Sequence, residues 1–114
     1  MGIASGVVFS GKRALVYMQN SGFANIGDAL TSLTELYKLP MLFLISYRGL
    51  ESDRGFPEHS IMGEVTEPIL KAYNIPYLNL TEEDWKKDMA KAIEMMEEKS
   101  SAVAVLIKSG VLSQ

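Results

Sequence analysis

The sequence predicts an α/β fold, a parallel sheet with helices on both faces. Three observations carry that expectation. Short apolar runs alternate with helical patterns from end to end, the order that crossover connections produce. One run, Met41–Tyr47 (MLFLISY), is apolar almost without a break, as suits a central parallel strand covered on both sides. Two of the apolar runs, ending at Gln19–Gly22 and Ser46–Gly49, close in small or polar residues. They mark a C-terminal sheet edge, where open α/β folds bind ligands.

Residues 3–10 are small and apolar, and Gly11, Lys12 and Arg13 end the pattern. They predict a short, glycine-interrupted helix packed under the sheet, with no capping residue at its start. Ala14–Met18 predicts a buried strand that stops at Gln19, Asn20, Ser21 and Gly22. Ile26, Leu30, Leu33, Leu36 and Tyr37 then recur at three- and four-residue spacing. That spacing predicts an amphipathic helix from Ile26 to Leu39, ended by Pro40.

After the central strand, Leu50–Glu58 is polar and irregular and is the longest loop in the chain. Compact domains reserve such lengths for functional or disordered segments. Ser60 is placed to cap a helix reaching Asn74, with Ile61, Val65, Ile69, Leu70 and Tyr73 on one face and Pro68 kinking or splitting it. Ile75–Leu80 predicts a short strand. Thr81 opens the next helix: Thr81 and Asp84 form a capping-box-like pair, and Glu82 and Glu83 suit the positive helix end. Its stripe is Trp85, Met89, Ala92, Ile93 and Met96. Ala102–Ile107 is the last buried strand. Four strands are few for this class.

With 114 residues, 47% of them hydrophobic, the chain has room for one domain spanning residues 1–114 and not for two. The net charge is −3, and Lys86, Lys87 and Lys91, the densest basic cluster, lie among acidic neighbours. That is a solvated helix face and no footprint for nucleic acid. Without cysteine, disulfides and thiolate metal sites are excluded, and a cytoplasmic location is expected. The single histidine, His59, rules out multi-histidine zinc sites. No apolar run approaches the ~20 residues that span a bilayer, and MGIASGVVFSGKR lacks the basic start of a secretory signal, so no membrane partner is expected.

The chain has no G-x-G-x-x-G and no G-x-x-x-x-G-K-[ST] sequence. Gly27-Asp28 falls inside a predicted helix without partner ligands and reads as surface. Asn20, Ser21, Gly22 and Asn25 admit two accounts. They cap and turn a strand into a helix, the commoner reason for such residues, or they hydrogen-bond a polar ligand at the sheet edge. A lone histidine is more often a surface or capping residue, yet His59, beside a long polar loop, is an acid/base or anion-binding candidate. Arg48 either pairs locally with Glu51 or Asp53 or holds an anionic substrate.

Taken together, MQNSG closing a strand, Asn25 beyond it, ISYRG closing the next, and PEHSIMG followed by Thr66-Glu67-Pro68 resemble a known family. The pattern is similar to the alpha subunit of sulfopyruvate decarboxylase and the matching part of phosphonopyruvate decarboxylase, which depend on thiamine diphosphate and Mg2+. The resemblance implies that family's pyrimidine-binding domain, a six-stranded parallel sheet of which this chain would lack the first two strands. It assigns Asn20, Ser21, Gly22 and Asn25 to the aminopyrimidine. Arg48, Gly49, Glu58, His59, Met62 and Gly63 then lie toward the substrate, with His59 orienting substrate or moving a proton.

Two departures qualify the resemblance. The family's Asn-Ser-Gly-Leu-Gly-Asn carries Phe23-Ala24 here, a bulkier pair expected to narrow the cofactor's approach. The family's activating glutamate precedes the helix matching Gly2–Gly11 and is absent from this chain, which therefore reads as N-terminally truncated. The GDG sequence that marks diphosphate and Mg2+ binding is also absent. The resemblance places it on a beta subunit, in a hetero- or homo-oligomer. The expectation is a decarboxylase alpha subunit or fragment, inactive alone. The alternative is a non-catalytic interaction or regulatory domain that keeps the fold.

Overall fold

The computed structural model describes residues 1–27, 30, 32, 38–48 and 57–108. Its elements are α1 (Gly2–Phe9), β1 (Leu15–Gln19), α2 (Asn20–Ala24), β2 (Met41–Tyr47), α3 (Pro57–Ala72), β3 (Tyr77–Asn79), α4 (Trp85–Lys99) and β4 (Ala102–Lys108). The four strands form one parallel sheet in the order β1-β2-β4-β3.

The two-residue period of the strands sorts their side chains onto two faces. On one, Phe43, Ile45, Ala104 and Leu106 join Phe23 of α2 and Leu70 of α3, with Ala4 and Val8 of α1 packed against them. On the other, Leu42, Val103 and Val105 meet Ala92 and Met96 of α4. β2 and β4 are therefore buried from both sides, which is why MLFLISY and AVAVLI carry almost no polar residue. The expected α/β architecture is present, and it is consistent with the pyrimidine-domain-like fold that the resemblance implies.

Among the described strands β1 lies at a sheet edge, paired with β2 alone. Leu15 and Tyr17 stand in register with Leu42 and Leu44, on the face that α4 covers. α4 packs chiefly on β2, β3 and β4. Leu15 and Tyr17 consequently remain 55% and 65% exposed. An apolar edge strand is a template for pairing with another chain. Tyr17→Lys, which puts a charge on that edge, is expected to reduce concentration-dependent association measured by light scattering. Equal association of both forms would contradict this.

The helix starts differ from expectation, each for a local reason. α2 (Asn20–Ala24) is a short helix directly after the strand that ends ahead of the helix expected from Ile26. Of the helix expected from Ile26 to Leu39, Leu33, Leu36 and Tyr37 lie outside the described residues, as do positions 49–56 of the Leu50–Glu58 loop. α3 begins at Pro57, ahead of Ser60. Proline at the first helical position suits a helix start, because its φ is preset and that N–H would have no partner. Pro68 neither splits nor ends α3. It removes the donor for the Glu64 carbonyl, and both residues are on the exposed side, where water can replace it.

α4 begins at Trp85, later than Thr81, and the Thr81–Asp84 pair is joined by a longer link to Asp88. The Asp88 carboxylate accepts from the Thr81 N–H at 2.9 Å and from its hydroxyl at 2.8 Å. The Asp84 N–H in turn donates to Thr81 Oγ1 at 3.2 Å. The Thr81 backbone bond, then its hydroxyl, hold the Asp88 carboxyl below the usual aspartate value, with Lys91 adding to the effect. α1 has Met1 at its start and no side-chain cap, as expected.

Candidate functional site

Asn20, Ser21, Gly22 and Arg48 gather at the C-terminal edge where β1 and β2 end side by side, Gln19 in register with Ser46. β1 passes into α2 without a loop, so Asn20 is at once the end of the strand and the first residue of the helix. A polar residue in that position is drawn into the interior, and Asn20 is 1% exposed. Burial obliges its amide to find partners. Nδ2 donates to the Arg48 carbonyl at 3.0 Å and to Thr66 Oγ1 at 2.8 Å. Its Oδ1 accepts from the Arg48 N–H at 3.4 Å. The Thr66 hydroxyl donates to the Met62 carbonyl one turn earlier in α3.

The other edge residues are differently placed. Ser21 is half-buried, and its hydroxyl accepts from Gln19 Nε2 at 3.1 Å. Gly22 has room for a side chain, since a Cβ there would meet Met18 at an ordinary 3.6 Å. Asn25 ends α2 and is exposed. Arg48 is half-buried at the end of β2. Glu58 and His59 fall in the first turn of α3, not in a loop before it, and their side chains lie outside the described residues, as does Gly49. Phe23 does not narrow the edge. It is 1% exposed, with its ring edge-on to Phe43 at 5.7 Å between centroids and 72° between planes. Gly27, read as surface, is half-buried and so close to the Tyr73 hydroxyl that a Cβ would collide with it.

Two residues at this edge escaped the sequence reading. Thr66 entered only as part of a motif, and Tyr47 only as the end of a strand. Tyr47 is 4% exposed, and its hydroxyl donates to the Gly63 carbonyl of α3 at 2.7 Å. The alternation Phe43, Ile45, Tyr47 is the signal that places it inward. Burial raises the Tyr47 phenol above its ordinary value, with Glu67 and Tyr77 adding repulsion of the ionised form.

Because the folded state favours the protonated phenol, its stabilising contribution is complete below about pH 10, the unfolded value, and is lost as pH rises through the folded one. Tyr47→Phe is therefore expected to cost stability at neutral pH and progressively less at higher alkaline pH. Denaturant titrations of both forms from pH 7 to 11 measure the difference. A gap that widens with pH would contradict the assignment.

A cavity of about 350 Å³, lined by Leu44, Leu80, Trp85, Met89 and Ile107, is wholly apolar and lies on the α4 face. Another, of about 290 Å³, sits at the opposite end of the sheet beside Lys12, Arg13 and Glu97. Neither is lined by the Asn20 cluster. Among the described residues no three His, Asp or Glu side chains are gathered to hold a metal ion. No helix among the described residues is long and apolar enough to cross a membrane.

No protein-family model matches the chain. It is 33% identical over 108 residues to the sulfopyruvate decarboxylase subunit alpha of Methanothermobacter thermautotrophicus, covering 93% of this chain and 64% of that protein. To the same subunit of Methanocaldococcus jannaschii it is 35% identical over 106 residues, 92% of this chain and 62% of that protein. Phosphonopyruvate decarboxylase of Streptomyces viridochromogenes is 31% identical over 68 residues, 60% of this chain and 17% of that protein. The chain thus spans somewhat less than two thirds of the length of the alpha subunits it matches. Similarity over more than nine tenths of this chain bears out the resemblance carried by MQNSG, ISYRG and PEHSIMG to sulfopyruvate decarboxylase alpha subunits.

Proposed function

We propose that this chain supplies the pyrimidine side of the active site of a thiamine-diphosphate-dependent decarboxylase. Its substrate would be a 2-oxo acid bearing a sulfonate or phosphonate, 3-sulfopyruvate or 3-phosphonopyruvate, and its products the corresponding acetaldehyde and CO2. The observation that carries this reading is the similarity of nearly the whole chain to sulfopyruvate decarboxylase alpha subunits. Supporting it, the QNSG motif and Arg48 of the RG motif meet at one sheet edge.

The residues present fit the pyrimidine half of the cofactor and not the diphosphate half. The Ser21 hydroxyl and the exposed Asn25 amide are polar groups at the edge that can turn to a ring nitrogen or amine. Within the 114 residues there is no GDG sequence, and the described side chains form no oxygen-rich cluster for Mg2+. In keeping with the resemblance, diphosphate and metal fall to a partner, a beta subunit carrying that sequence. When bound, the cofactor supplies an electron sink for the pair left behind as CO2 departs.

The roles of this chain's own residues follow from their chemistry. Arg48 at the end of β2 offers a planar, permanently charged fork to the tetrahedral sulfonate or phosphonate. His59 in the first turn of α3 is the group able to hold or move a proton near neutral pH. Ser21, Asn25 and the backbone around Gly22 orient the pyrimidine. Asn20 belongs to the same motif, and its side chain is occupied within the protein.

Calorimetric titration of the chain alone with thiamine diphosphate and Mg2+ tests the division of labour. Weak or undetectable binding is expected, with tight binding once a chain bearing the diphosphate-binding sequence is present. Tight binding or turnover by the chain alone would overturn it. An assembly that forms and binds no cofactor would favour the non-catalytic alternative.

A further inference from the structure

We infer that Asn20 and Thr66 form a positioning pair that holds Arg48 and helix α3 at the substrate end of the edge, and that Asn20 is not a cofactor contact. This rests on the proposed role of Arg48 as the residue that holds the substrate's anionic group.

An amide side chain has two N–H donors and one carbonyl acceptor. In Asn20 both donors are spent inside the chain, one on the Arg48 carbonyl and one on Thr66 Oγ1, at 3.0 and 2.8 Å. The carbonyl takes the Arg48 N–H at 3.4 Å. One buried side chain therefore grips both backbone groups of Arg48, which fixes the direction in which β2 delivers that residue. Through Thr66 the same amide reaches α3, because the Thr66 hydroxyl must donate onward to the Met62 carbonyl if it is to accept from Asn20.

The neighbouring residue adds a second tie. Tyr47 donates to the Gly63 carbonyl at 2.7 Å, so consecutive residues at the end of β2 are joined to α3 by two routes. The rotation and height of α3 against the sheet are set by these bonds, and α3 carries His59 in its first turn. A ligand donor role for Asn20 would require breaking one of these bonds and leaving the Arg48 carbonyl or Thr66 Oγ1 without that donor, a cost a ligand bond would have to offset.

The test pairs hydrogen exchange in the free chain with kinetics in the assembly formed with a beta-type chain, thiamine diphosphate and Mg2+. Thr66→Val keeps the shape and removes the hydroxyl. It is expected to speed exchange of the Arg48 amide and to raise KM for 3-sulfopyruvate or 3-phosphonopyruvate about tenfold, the effect of one lost buried hydrogen bond. The affinity for thiamine diphosphate should change little. Thr66→Ser restores both the slow exchange and the low KM, which a general loss of stability would not explain.

Asn20→Asp, which cannot donate when ionised, is expected to reproduce the Thr66→Val pattern. Unchanged Arg48 exchange in Thr66→Val, or an effect of Asn20→Asp confined to thiamine diphosphate affinity, would overturn the inference. Absence of turnover by the unsubstituted assembly overturns the functional reading and the substrate role of the pair with it. The exchange measurement still decides whether the pair holds Arg48.

Discussion

Phe43→Ala is expected to lower the unfolding free energy by about 3–5 kcal/mol, the cost of truncating a buried aromatic ring. Phe43 is 0% exposed at the centre of β2, and its ring meets the edge of Phe23 at 5.7 Å. The substitution removes a ring from the core and also the contact that fastens α2 to the sheet. Against a total of roughly 5–15 kcal/mol for a domain, that loss is between about a fifth and all of the stability. Urea denaturation followed by circular dichroism measures the change. Phe43→Leu, which keeps most of the volume, should cost less than half as much; equal losses from both would contradict the packing described.

Arg48→Ala is expected to lower kcat/KM of the assembled decarboxylase by about 10–100-fold, the range for losing a charge-assisted hydrogen bond or pair of them. The loss should appear mainly in KM, because the arginine would grip a part of the substrate remote from the reacting carbon. Arg48→Lys should recover only part of it, since an ammonium cannot reproduce the two-pronged geometry. The fold should survive both changes: the groups of Arg48 that Asn20 engages are its backbone N–H and C=O, which alanine retains. An unchanged kcat/KM would remove Arg48 from the substrate site.

What the sequence disclosed and what it hid follow from the range of the interactions. The alternation of strands and helices was legible because β2 and β4 are buried on both faces and their runs show it. The stripe Met89, Ala92, Ile93 and Met96 of α4 was legible for the same reason, its partners being the sheet itself. Helix starts were harder. Thr81 was read as the partner of Asp84, whose N–H it does accept, but it also binds Asp88 seven residues on, a link that leaves no short motif.

The site was legible as a place and not as a set of contacts. QNSG marks the end of β1 whether its asparagine faces a ligand or the interior, and the side chain that decides the matter is 46 residues away. Thr66 would have stood out as a hydroxyl on the apolar side of α3, near Ile69 and Leu70. Phe23 was read as an obstacle to the cofactor because the sequence cannot tell which way a residue in the first turn of a helix points. In the fold it belongs to the core.

The central claim is that this chain contributes one side of a decarboxylase site that a second chain completes. It is tested most directly by CO2 release from 3-sulfopyruvate and 3-phosphonopyruvate with thiamine diphosphate and Mg2+ present. The chain alone, a beta-type chain bearing the diphosphate-binding sequence alone, and the two mixed are compared. The account predicts release from the mixture only. Release from either chain by itself, or none from a mixture shown to form a complex, would contradict it.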